Sequence, residues 1–314
     1  MSLRLKALNL GLRATVKRSL KRMKDPLHAR RQIERAADWG LRPPPFTLFL
    51  PAVMQTRAGT GLPVLWISNA PASRPPLPNK VVLYFHGGGY VAGSAHSHRN
   101  MLARLARLSG LRVCAVDYRL APEHPFPAGF DDCVAAFDAL LGRGYRPDDI
   151  VIGGDSAGGG LALAVMMHLC AQGRAPAAVF ALSPLVDMRF VNPSITQNAK
   201  RDPLLPAAQA KNVTDWYLSG HAPDDPRASP LMAKLKAPPP PVFLQFSNAE
   251  ILRDDSLKMA AHLRDSGGEV TLDPWPDTPH VFAYFDGLIP EARVALGRVA
   301  EFVRAHASDG APTR

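Results

Sequence analysis

From Val81 onward, short apolar runs alternate with segments of helical period, and no other feature narrows the possible folds as far. Strand-like runs fall at 81–85, 112–117, 150–154, 178–183, 242–247 and 269–275. Between and after them, helical patterns occupy 99–109, 128–141, 157–171, 254–265 and 291–305. Such alternation predicts a mostly parallel sheet with helices on both faces, because each helix carries the chain back to start the next parallel strand. Ahead of it, 46–55 and 62–69 read as an antiparallel pair joined across Gly59-Thr60-Gly61, which brings the expected sheet to eight strands. Residues 1–45 and an interruption at 186–238, with a helix expected near 206–218, stand outside the alternation.

A chain of 314 residues, 46% hydrophobic and 20% charged, can bury a sizeable core, so wholesale disorder is excluded. No run of eighteen apolar residues is present to span a bilayer. Cys114, Cys133 and Cys170 are odd in number and lack CxxC spacing, which argues against a disulfide framework or thiolate zinc site and suits the reducing cytoplasm. The net charge of +10 is local. Residues 1–35 hold eleven Lys/Arg against Asp25 and Glu34, whereas the other 279 residues carry 26 basic and 25 acidic groups. A balanced body offers no broad phosphate-binding face, so nucleic acid is not an expected partner.

In the basic segment Leu5, Leu8, Leu12, Val16, Leu20, Met23 and Leu27 recur at steps of three or four, which predicts an apolar helical stripe with a basic opposite face. Two readings follow: a helix packed on the body of the protein, or one drawn to an anionic membrane surface. An Arg-rich transit peptide is a third, and the absence of a continuous apolar stretch after the charges argues against a signal peptide.

Two motifs carry chemistry. Gly154-Asp155-Ser156-Ala157-Gly158 fits G-x-S-x-G and lies between a strand and a helix, where a turn too tight for flanking side chains lifts a serine hydroxyl above the sheet. His86-Gly87-Gly88-Gly89-Tyr90 directly follows the strand at 81–85. Its glycines let backbone N–H groups face a substrate, as acyl transfer requires when charge develops on a carbonyl oxygen. Gly88, Gly89 and the amide of Ala157 are the expected oxyanion donors. A phosphate loop is disfavoured, since neither Gly-Lys-Ser/Thr nor GxGxxG spacing is present.

With these two motifs, and with Tyr118-Arg119-Leu120-Ala121-Pro122-Glu123 and Phe126-Pro127-Ala128 between them, the sequence resembles the hormone-sensitive lipase family of α/β-hydrolases, in its bacterial esterase branch. The match runs from about residue 46 to the end. The resemblance implies a serine carboxylesterase or lipase acting on short- to medium-chain acyl esters without metal or organic cofactor. It further implies an α/β-hydrolase fold with an eight-stranded sheet and a helical cap, and a homodimer. On that basis residues 1–45 form a cap segment and 46–314 the catalytic domain, with 186–238 contributing to the cap.

The fold supplies its triad in the order serine, acid, histidine. His280, after the last strand in Thr278-Pro279-His280-Val281-Phe282, fits the family's His-x-Phe and is the expected base. His221 and His262 read as ordinary surface histidines, His86 as a scaffold for the glycine loop, and His96 with His98 as too few ligands for a metal site. The acid departs from the family's Asp-Pro-Leu-Arg-Asp. Here the stretch is Asn248-Ala249-Glu250-Ile251-Leu252-Arg253-Asp254, and aligning Leu252-Arg253-Asp254 places Glu250 at the acid position. Asp254, in the first turn of the next helix, and Asp277 remain as alternatives. Asp155 is expected to anchor the turn at Ser156, and Asp117, Glu123 and Asp131 to tie down the loop at 117–131. Tyr90, Trp216 and Tyr217 either line the substrate pocket or pack in the core. The same triad could serve an amidase or acyltransferase, and the same scaffold a non-catalytic binder.

Overall fold

The computed structural model describes residues 1–37, 42–57, 59–69 and 79–307. Its centre is one eight-stranded sheet: β1 (Leu48–Gln55), β2 (Gly61–Ser68), β3 (Val81–Phe85), β4 (Arg112–Val116), β5 (Ile150–Asp155), β6 (Ala178–Leu182), β7 (Val242–Ser247) and β8 (Val270–Trp275). The spatial order is β1-β2-β4-β3-β5-β6-β7-β8. β1 pairs antiparallel with β2, and β2 antiparallel with β4. All other pairs are parallel, as the strand–helix alternation requires.

The central strands are apolar on both faces because each face is covered. Along β3, Val81, Leu83 and Phe85 join one buried cluster and Val82 and Tyr84 the other. Helices α5 (Ala128–Gly142), α6 (Ser156–Ala171) and α9 (Arg253–Asp265) supply the first cluster. Helices α4 (Ala95–Ser109) and α10 (Pro290–Ala307) supply the second. All three cysteines are free thiols.

Helix α4 begins four residues before the expected 99. Ser94 caps it: its Oγ accepts from Ser97 N while Ser97 Oγ accepts from Ser94 N, a reciprocal box built from two serines in place of serine and glutamate.

The N-terminal segment differs more. In place of one stripe there are three helices, α1 (Leu3–Ala14), α2 (Val16–Lys21) and α3 (Pro26–Ala37). The chain turns at Thr15, whose hydroxyl bonds back to Gly11 O, and again ahead of Pro26 at the first position of α3. Leu5 and Leu12 are buried while Val16 is exposed, so the apolar positions do not share one face. The segment lies over the carboxyl ends of the strands. Asn9 bonds Asp277 O after β8, and Arg30 bonds Val91 O after β3, Ala121 O after β4, and Glu123. Between β6 and β7 the expected insertion contains only short helices, chiefly α7 (Ser194–Gln197) and α8 (Ala210–Leu218), and meets the N-terminal helices through Gln209, which bonds Lys21 O and Met23 O.

Candidate active site

The turn from β5 into α6 places Ser156 in the left-handed region, at φ 53°. Such strain in a non-glycine residue persists only where its surroundings enforce it. Here the enforcement is lack of space. A Cβ on Gly158 would stand 2.1 Å from Phe85 O, so helix and strand meet too closely for any side chain there. Asp155, buried one residue before the serine, accepts hydrogen bonds from Tyr84 Oη (2.7 Å) and Gly87 N (2.9 Å) and faces His98 Nε2 at 3.3 Å. Burial pushes its pKa up, but the charge and hydrogen bond of His98 and the Tyr84 hydroxyl outweigh that and hold it below the ordinary carboxylate value. Asp155 therefore joins the glycine loop to the serine turn, as expected of it, and His98 belongs to this ion pair.

The glycine loop turns sharply. Gly88 has φ 125°, and Ala92 O lies 2.1 Å from where its Cβ would be. Gly87 N is held by Asp155. The N–H groups of Gly88 and Gly89 donate to no partner among the described residues, and that of Ala157 lies in the first turn of α6, where no intrahelical acceptor exists. His86 stacks on Tyr118 with ring centroids 4.3 Å apart, and burial depresses its pKa to about 3, so it is a neutral packing element.

Three strands away, the tight turn after β7 carries Glu250, fully buried. Its Oε1 accepts from Ser247 N at 2.9 Å and its Oε2 faces His280 Nδ1 at 2.5 Å. A carboxylate only accepts, so Nδ1 carries the proton and Nε2 keeps its lone pair. That Nε2 is buried and has no partner among the described residues. Burial alone would depress the imidazole pKa; the hydrogen bond and charge of Glu250, with Asp202 and Asp155 further off, outweigh it and raise the pKa above its ordinary value.

Register brings the two halves together. Asp155 pairs with Leu182, so Ser156 and Ser183 leave neighbouring strands side by side. The Ser183 hydroxyl accepts Val281 N–H at 3.1 Å and pins the His280 loop next to the serine turn. The two other acids considered for the triad are engaged elsewhere. Asp254 accepts from Ser194 N at 2.8 Å, and Asp277 pairs with Arg201 at 3.2 Å.

A family model described as the alpha/beta hydrolase fold matches residues 82–284. Among solved structures, an esterase from the bacterial hormone-sensitive lipase family is 37% identical, with a TM-score of 0.89 over 98% of this chain and 99% of that one. The chain belongs to this family of α/β-hydrolases. The protein EstE5 is similar as well, at 33% identity and a TM-score of 0.90 over 98% of this chain and 100% of its own. An acetyl-hydrolase of Streptomyces hygroscopicus is 36% identical over 74% of this chain and 77% of its own length. An ethyl acetate hydrolase of Pseudomonas putida is 33% identical over 81% of each. The protein is a carboxylesterase of the hormone-sensitive lipase family.

Within this esterase, residues that no motif announced hold the Glu250 turn. Asp202, in the insertion, accepts Ile251 N at 3.0 Å with one oxygen and Leu204 N and Leu205 N at 2.8 Å with the other. Asn198 Nδ2 donates to Asn248 O and Glu250 O, and Ser194 Oγ to Ile251 O. Lys17 of α2 in turn donates to Ala199 O (2.8 Å) and Asp202 O (2.5 Å), so the N-terminal helices reach the Glu250 turn through this segment. Isolated Asn, Ser and Asp residues in a loop give no sequence signal for such contacts.

The three aromatic pocket candidates fall in the main buried cluster. Tyr90 and Tyr217 are buried and stack with centroids 3.7 Å apart, and Trp216 packs half-buried beside them. Val213 of α8, one turn from Tyr217, is instead the side chain nearest the open face of Gly89. Glu123 ties the loop at 117–131 to Arg30 and Asp117 caps α4 by accepting Ala95 N, but Asp132, not Asp131, clamps Arg119. His221 is exposed as expected, whereas His262 is half-buried and its Nε2 has no partner among the described residues.

Proposed function

We propose that the enzyme hydrolyses short- to medium-chain acyl esters by two-step acyl transfer, with Ser156 as nucleophile, His280 as base and Glu250 as the acid of the triad. The observation that carries this reading is the buried His280–Glu250 pair, which leaves a lone pair on Nε2 beside the serine turn. His280 Nε2 takes the proton of Ser156 as Oγ attacks the ester carbonyl, and the new imidazolium is stabilised by Glu250. Charge gathers on the former carbonyl oxygen, where the free N–H groups of Gly88, Gly89 and Ala157 receive it. The proton then passes from Nε2 to the leaving alcohol. Water, deprotonated by the same nitrogen, attacks the acyl-enzyme, and as the acid leaves Nε2 passes that proton to Ser156 Oγ.

Residues 1–45 and 186–238 are proposed to form the cap over this site. Support comes from their contacts with loops at the carboxyl ends of β3, β4, β7 and β8. A panel of p-nitrophenyl esters of rising acyl length, with amide analogues, tests the reading. Turnover should peak at short or medium chains, and organophosphate labelling should require Ser156. Ligand binding without turnover would indicate a non-catalytic binder, and faster amide cleavage would change the reaction class.

A further inference from the structure

Helix α1 has two apolar faces. Its inner face is accounted for: Leu5 packs with Phe282, Ile289, Ala292 and Ala295, and Asn9 bonds Asp277 O. The opposite face is not basic at its pole. Leu3 (83% exposed), Ala7, Leu10 (69% exposed) and Ala14 follow one another at steps of four, three and four, and so form a single outward ridge. At 3.6 residues per turn, Lys6 and Arg13 lie about a quarter turn to one side of that ridge and Arg4 to the other.

Beyond Ala14 the ridge runs into an open depression of about 940 Å³ between α2 and α3. Leu20, Met23 and Ile33 line it, together with Arg18, Arg22 and Lys24. Arg4, Lys6, Arg18, Arg22 and Lys24 make no ion pair with any described residue, in contrast to Arg30, which is held by Glu123.

We infer that this surface docks on a lipid bilayer carrying anionic headgroups. The exposed leucines would enter the boundary between headgroups and acyl chains, while the flanking Lys and Arg reach up to lipid phosphates. The charge pattern selects this occupant. Two copies of the same ridge placed face to face would oppose like charges along both flanks, and a nucleic acid would meet apolar side chains along the most protruding line. Because α1 lies over the loop after β8, docking turns the sheet edge that carries Ser156 towards the lipid.

Sedimentation with vesicles of phosphatidylcholine alone, and of phosphatidylcholine containing phosphatidylglycerol, tests the inference on the full chain. The protein should sediment with the anionic vesicles only, and added salt should release it. The Leu3→Ser/Leu10→Ser variant should lose partitioning at least about tenfold, as expected for two leucines kept out of an apolar phase. Its melting temperature and its turnover of soluble esters should not change. Independently, Arg4→Gln/Lys6→Gln should weaken partitioning by about fivefold per charge. Failure to sediment with anionic vesicles at low salt would overturn the inference, as would equal partitioning of the leucine variant and its parent. So would light scattering that shows a dimer dissociated by the leucine substitutions without vesicles, since a second copy would then cover the ridge.

Discussion

The surroundings of Ser156, the proposed nucleophile, and of Glu250, the proposed acid, are built in different ways. Around Ser156 the restraints come from the sheet, its flanking helices and the loops that leave neighbouring strands: Asp155 gathers Tyr84, Gly87 and His98, Gly158 sits against Phe85, and Leu185 N donates to Ser156 O. Around Glu250 the sheet supplies one hold, Ser247 N of β7, and the others come from the insertion, through Ser194, Asn198 and Asp202, and behind them from Lys17 of α2. One half is held within the layers of the core, whereas the other depends also on segments that lie over the sheet. Substitutions at Lys17, Ser194, Asn198 or Asp202 should therefore reach catalysis by displacing Glu250, even where they touch no substrate.

The largest test strikes the half around Ser156. Ser156→Ala should lower turnover of a chromogenic ester by roughly 10⁴–10⁶-fold with the fold intact, and combining it with His280→Ala should cost little more, because the triad acts as a unit. Organophosphate labelling that persisted at another serine would move the nucleophile. Next, Glu250→Gln keeps size but presents the wrong group to Nδ1, and turnover should fall by about 10³–10⁴-fold. Glu250→Asp should retain partial activity, since it shortens the reach by one methylene. Near-normal turnover in Glu250→Gln, with collapse in Asp254→Asn or Asp277→Asn, would break the assignment of the acid.

The comparison itself is sharpened by Asp202→Asn. Losing one charged acceptor of backbone N–H groups should lower kcat about tenfold, in the range for a hydrogen bond to a charged group, with KM little changed. The negative charge of Asp202 helps raise the His280 pKa, so its removal should shift the acid limb of the pH–rate profile to lower pH. A loss of melting temperature alone, with that limb fixed, would mean that the acid half is held without Asp202.

The smallest effect concerns Asp255, whose oxygens accept Val186 N and Asn192 Nδ2 and tie α9 to the insertion. Burial pushes its pKa from 3.8 up to about 7. Between those values the folded chain binds more protons than the unfolded one, so stability should decline as pH rises through this window. Chemical denaturation from pH 5 to 8 should show that decline, and Asp255→Asn should flatten it. A slope left unchanged by the substitution would place its origin elsewhere.

This division also explains what could be read from the sequence. The eight strands, the serine turn and the glycine loop were legible because each is a local pattern: an apolar run bounded by turn residues, or glycines where no Cβ fits. Glu250 stood out in the sequence only through alignment of Leu252-Arg253-Asp254, because the usual aspartate is absent, and its buried contact with His280 is a pairing across 30 positions that no local pattern announces. The contacts of Asp202, Asn198 and Lys17 were not legible, because each joins backbone groups far apart in the chain through a single side chain. The N-terminal stripe misled for a physical reason. Leucines at steps of three and four are compatible with one helix, and only the turn at Thr15 separates Leu5 and Leu12, which are buried, from Val16, which is not.

Helix α1 has a further consequence in time. Its first hydrogen bonds, from Ser2 to Glu291, join residues 289 positions apart. At a synthesis rate of roughly 5–20 residues per second, the inner face of α1 waits on the order of 15–60 s on the ribosome before α10 exists to receive it. Throughout that interval both apolar faces of a basic helix are open to nascent-chain chaperones and to any nearby membrane. The loop that carries His280 likewise lacks its covering until α10 is made, so the two halves of the site come together only after α10 has been synthesised.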